Sequence, residues 1–181
     1  MKDLKRYTII GIFSVLVTGT LAHFLYDWTD KNHIAGLFTP VNESVWEHMK
    51  LLFFPMIMYS LILILKFRNK YSCIISALCF GILAGVFLIP FFYYTYTSIL
   101  GKNVFVFDIS TFILSTVLAF WLSYKLTLSC KLKSYTFLLC ILVCVLFICF
   151  LIFTYYPPDT AIFQVHLYYI KTKGAVAKVD E

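Results

Sequence analysis

The chain has 181 residues, of which 61% are hydrophobic and 19% aromatic, while only 13% are charged and the formal net charge is +6. A water-soluble domain carries roughly 25% charged residues, and a globule of this size has too little interior to hide such an apolar excess, so a soluble fold is excluded and lipid is the solvent. The positive charge does not point to nucleic acid, because Lys and Arg fall in short clusters between apolar runs without a basic groove interleaved with aromatics.

A helix needs about 20 apolar residues to cross the hydrocarbon, and backbone polar groups there must be satisfied within the segment. Runs near 7–28, 47–65, 71–94, 106–124 and 135–155 meet that requirement. The prediction is an all-α polytopic bundle of about five spans over residues 1–155, followed by a tail at 156–181. The first run follows Lys2, Lys5 and Arg6 and lacks a clean A-x-A cleavage site, so it reads as a membrane helix rather than a leader. Near its end His23 and Asp27 are four apart, on one helix face.

His33 follows in the first connection, and then Pro40-Val-Asn42-Glu43-Ser44-Val-Trp46-Glu47-His48-Met-Lys50 leads into the second span. Asn42 is the expected N-cap, with Glu43 and Glu47 in the first turns, where the helix dipole favours acids. Glu43, Glu47 and Lys50 share one stripe, and Ser44 and His48 share the next. In the third span Gly81 and Gly85 form a G-x-x-x-G close-packing face, suited to a contact within the chain or to a homo-oligomer. Pro55 and Pro90 fall inside spans. Asp108 opens the fourth, as a cap or as a member of the same polar cluster. The six cysteines contain no C-x-x-C pair, and most lie in apolar runs, where a thiol behaves as a small hydrophobe. Pro157-Pro158-Asp159 stops the last helix.

Lys and Arg concentrate in the N-terminus (Lys2, Lys5, Arg6), the second connection (Lys66, Arg68, Lys70) and the fourth (Lys125, Lys131, Lys133). The positive-inside rule therefore predicts a cytoplasmic N-terminus and an outer C-terminus. On that topology all four histidines and every acid except Asp3 fall on the outer side. Because acids contribute little to orientation, this sorting is an independent signal that any chemistry is outside.

The candidate ligands for a divalent metal such as zinc are His23, Asp27, His33, Glu43, Glu47 and His48, all competent donors. No H-E-x-x-H is present, so such a site has to be assembled across two helices and a loop. Asp27, Glu43, Lys50 and Asp108 are candidates for a polar ligand, and Glu47 and His48 for catalysis, with Ser44-x-x-x-His48 as a nucleophile variant. The plain alternative is a capped, charged helix start and a helix-end ion pair at headgroup level.

The stretches Asn32-His33-Ile34-Ala35-Gly36-Leu37-Phe38, Pro40 to Lys50 and Tyr156-Pro157-Pro158-Asp159 resemble a family of small bacterial membrane proteins of unknown function. The resemblance implies a multi-pass protein of the bacterial cell membrane without an assigned activity. It departs after Gln164, where Val165-His166 stands in place of the family's Asp-Pro and Gly-containing turn. Three functional classes remain open: a binding protein with a His/Asp/Glu pocket at the outer interface, a metal-assisted hydrolase acting on a lipid-type substrate, and a structural subunit using the Gly81/Gly85 face. Transport fits least, as there is no internal repeat.

Overall fold

A computed structural model describes residues 1–164. Within them lie six α-helices: α1 (Lys2–Trp28), α2 (His33–Phe38), α3 (Val45–Phe67), α4 (Ile74–Leu100), α5 (Phe105–Ser129) and α6 (Thr136–Phe153). Five elements are long and apolar enough to cross a membrane, the last running from the turn at Lys133 through α6, and only the six-residue α2 is too short. The 27 residues of α1 rise about 40 Å at 1.5 Å per residue, enough to span with turns to spare. Helices α3 and α4 run through Pro55 and Pro90, respectively. His166 and the rest of the tail beyond Gln164 lie outside the described residues.

Burial orders the bundle. The most apolar stretch of α3 and of α4 is 56% buried, against 17% for α1 and for the α6 span. The inner pair packs Leu52, Phe53, Met56, Val86 and Ile89 into one core with Ala119 and Phe120 of α5 and Phe150 of α6. Outward side chains such as Met58, Leu65 and Phe137 are exposed and apolar, which is the surface that hydrocarbon requires.

The Gly81/Gly85 stripe packs against α5 of the same chain. A Cβ on Gly81 would lie 2.7 Å from the Ala119 carbonyl oxygen, and one on Gly85 would lie 2.6 Å from Ala119 Cβ. Absence of those carbons lets α4 and α5 approach at backbone distance. At one end of this pair Cys73, before α4, is disulfide-bonded to Cys130, after α5. This bond corrects the reading of Cys73 as a packing residue of an apolar run and gives Cys130, in its basic connection, a partner. Cys73 and Cys130 flank their helices, where a thiol can meet a partner across a connection.

Candidate functional site

The other end of the bundle gathers the C-terminal turns of α1 and α4 and the N-terminal turns of α3 and α5. Helix α3 begins two residues later than Asn42 predicts. Ser44 is the N-cap and its hydroxyl accepts from the Glu47 backbone N–H, while Asn42 Oδ1 accepts from the Ser44 N–H at 2.9 Å. Asn42 thus shapes the turn before the cap. As a consequence Glu43 stands outside the helix, half-exposed and free to reach sideways.

It reaches two imidazoles. Glu43 Oε2 is 3.3 Å from His48 Nε2, and Glu43 Oε1 is 3.9 Å from His23 Nε2. One donor atom from each of these residues lies within 4.8 Å of the others. His48 Nδ1 is 2.9 Å from the Ser44 carbonyl oxygen. A carbonyl oxygen only accepts, so Nδ1 carries a proton and Nε2 is the nitrogen turned to Glu43. Two lone-pair acceptors do not rest face to face at 3.3 Å. Either Nε2 is also protonated, giving an imidazolium–carboxylate pair, or a cation lies between them. The first arrangement holds the Glu43 carboxyl below its ordinary range, chiefly through the hydrogen bond from His48, with burial opposing. A backbone carbonyl on Nδ1 is also the usual support of a metal-ligating histidine. His23 Nδ1 is buried without a hydrogen-bond partner among the described residues, so His23 has donor capacity that the protein does not use.

The other predicted residues separate from this cluster. Glu47 and Lys50 form a buried ion pair of 2.7 Å. Lys50 Nζ also donates to the Gly36 carbonyl at 3.1 Å and to Thr154 Oγ1 at 2.5 Å, while Glu47 Oε2 accepts the Val41 N–H at 3.0 Å. The pair joins α2, α3 and the end of α6. Asp27 is exposed one turn beyond His23 and contributes only a long-range attraction to it. His33 is exposed with its ring against Tyr155, whose hydroxyl donates to the His33 carbonyl at 2.7 Å.

Asp108 does face the cluster. It lines, with His23, Glu43 and His48, a cavity of about 340 Å³ whose remaining wall is largely apolar. The Tyr96 hydroxyl hydrogen-bonds Asp108 and reaches Asn103 Oδ1 at 2.5 Å. Tyr96 and Asn103 are functional candidates that the sequence reading missed. In sequence Tyr96 is one of three tyrosines at 93–96, and only its spacing of twelve from Asp108, across a short connection, hints at the contact.

A model of a family of unknown function (DUF6512) matches residues 1–169. Among curated proteins, heme A synthase of Ehrlichia ruminantium, in strains Gardel and Welgevonden, is 34% identical over 102 residues. That alignment takes in 52% of this chain and 29% of the relative, so the chain spans less than a third of the length of the proteins it matches. No solved structure matches. The five apolar helices and the family match over most of the chain make it a multi-pass membrane protein belonging to this family of unknown function.

Proposed function

We propose that the chain is a membrane-embedded binding protein that holds a divalent metal, zinc by its donor set, on His23, Glu43 and His48 at the outer rim. The convergence of these three donors within 4.8 Å carries the reading. Two imidazole nitrogens and one carboxylate oxygen suit zinc. Ligands of a tetrahedral zinc at about 2.0–2.2 Å stand roughly 3.4 Å apart, close to the 3.9 Å and 3.3 Å at which Glu43 already meets the two imidazoles. Three protein ligands would leave such a metal room for one further ligand, and all three side chains line the cavity. Glu47 and Lys50 serve here as the brace that fixes the loop carrying Glu43.

A second reading, metal-assisted hydrolysis, is favoured by Asp108 on the same cavity wall, where a carboxylate can accept a proton from metal-bound water. The likeness to heme A synthase supports a membrane location and does not favour a haem. Both imidazoles turn to one carboxylate, an arrangement for a compact cation rather than for two axial ligands across a macrocycle.

The test is zinc stoichiometry and affinity of the purified protein by competition with a chromogenic chelator. Wild type should bind one equivalent, and His23→Ala, Glu43→Ala and His48→Ala should each weaken binding by at least about 100-fold, while Asp27→Ala and His33→Ala change it little. Equal affinity in all six proteins would remove the assignment.

A further inference from the structure

We infer that the ligand of this site is a single-chain amphiphile with an oxygen-donor head group, its head at the His23/Glu43/His48 cluster and its chain in the cavity below. The inference rests on the metal reading and adds the chemistry of what the open position faces.

The charged side chains of the cavity lie at one end, and the Thr20 and Thr111 hydroxyls lower down are bonded to their own helices. His23, Glu43 and His48 stand at the rim, and the wall below them is Leu51, Ile89, Ile109 and Phe112. Its depth follows from helix register. Thr20, which lines it, is three residues below His23 on α1, about 5 Å along the helix, and Phe112 is four residues beyond Asp108 on α5, about 6 Å. The cavity therefore runs along the helix axes from the charged cluster toward the middle of the spans, with its polar and apolar ends in the order that a lipid presents them. Gly19 lets α1 approach α3 and α5 closely beside Thr20, since a Cβ there would lie 2.5 Å from the Leu51 carbonyl oxygen and 2.7 Å from Phe112 Cζ.

The mouth opens to lipid rather than only to water. Phe24, Phe105 and Ile109 line the cavity and yet are 46%, 63% and 44% exposed, whereas Leu51 and Ile89 behind them are 7% and 4% exposed. Apolar side chains that border a cavity and also form the outer surface make an entrance from the bilayer. A volume of about 340 Å³ lies at the low end of small-ligand sites, which admits one chain and not two. The head is assigned from the donor set. A metal on two histidines and one glutamate keeps a position for an oxygen ligand, which a carboxylate or a hydroxyl supplies and a quaternary ammonium does not.

The experiment is photolabelling of the full chain in lipid nanodiscs with a diazirine-bearing dodecanoic acid, crosslinks being mapped by mass spectrometry and zinc measured on the same sample. Crosslinks are expected at Leu51 and Ile89, which bulk lipid does not touch, as well as at outward controls such as Leu65 and Phe137. Excess dodecanoic acid and excess dodecanol, the acid and alcohol sources of the same chemistry, should each lower the inner labelling by roughly tenfold or more, and dodecyltrimethylammonium should not. Ile109→Trp, which fills the cavity from its tolerant outer wall, should abolish inner labelling while retaining zinc. The competition arm needs only wild type, so the inference stays testable if that variant does not fold. Zinc bound with labelling confined to the outward controls overturns the amphiphile while leaving the metal site. Inner labelling without zinc overturns the metal-held head together with the metal reading. Equal displacement by the ammonium overturns the head assignment alone.

Discussion

Replacing Lys50 by Met is the sharpest test of how the rim is held. Lys50 is 0% exposed and Glu47 is 2% exposed, so neither charge is relieved by solvent. Loss of the ammonium leaves Glu47 with the Val41 N–H and removes the donors to the Gly36 carbonyl and the Thr154 hydroxyl. Breaking a buried pair from one side costs about 3–5 kcal/mol, because the remaining charge is stranded. At roughly 2–4 °C per kcal/mol for a chain of this size, thermal unfolding followed by tryptophan fluorescence in nanodiscs should drop by about 10 °C. Lys50→Met combined with Glu47→Leu should recover most of the loss, since an apolar pair of similar volume replaces a buried ion pair at little cost. Zinc binding by the folded Lys50→Met protein should persist. A shift of about 1 °C, in the range of an exposed pair, would refute the brace. So would loss of zinc without loss of stability, which would move Lys50 into the site.

Three further outcomes follow from the same geometry. Gly81→Ala should destabilise by about 1–3 kcal/mol in a denaturant titration, the overpacking against Ser123 and the Ala119 carbonyl outweighing the gain in helix propensity, and should leave the oligomeric state unchanged. Glu43 has a folded pKa below its unfolded one, so its contribution is present above the unfolded value and is lost as pH falls through the folded one. The unfolding temperature of the metal-free protein should fall on acidification through that window, and Glu43→Gln should flatten the profile. Cys73→Ser and treatment of wild type with reductant should lower stability equally. The chain-entropy model for the separation of 57 residues gives about 4 kcal/mol as an upper bound, because the bilayer already restrains the unfolded chain. Cys149→Ser should leave the reductant effect intact.

The spans were legible because hydrocarbon leaves a helix no alternative, and 7–28 and 106–124 fall on α1 and α5 with the helices extending a few residues further. Part of the site was legible for the same reason. The connection at 29–44, which contains α2, returns the chain to the same end of the bundle and brings His23, in the last turns of α1, level with His48, in the first turn of α3. Which acid they share was not legible. Glu43, Glu47 and Lys50 lie on one stripe in sequence, and a side chain's position on a stripe does not tell whether it turns to the rim or to the core. Burial decides that, and burial comes from Gly36 of α2 and Thr154 after α6, both distant in sequence from Lys50. The two-residue shift of the cap from Asn42 to Ser44 completes the separation by leaving Glu43 in the loop. The Cys73–Cys130 bond was hidden because a pairing over 57 residues depends on how α4 and α5 pack, and that is set by Gly81, Gly85 and Ala119.

The central claim is that His23, Glu43 and His48 form a cation site, and X-ray absorption at the zinc edge of the purified, zinc-loaded protein tests it most directly. Two imidazole nitrogens with oxygen donors at about 2.0–2.2 Å are expected, with one imidazole shell lost in His48→Ala. Sulfur ligation at about 2.3 Å, which would place the metal on thiols such as the Cys79 and Cys140 pair 3.6 Å apart, would contradict it.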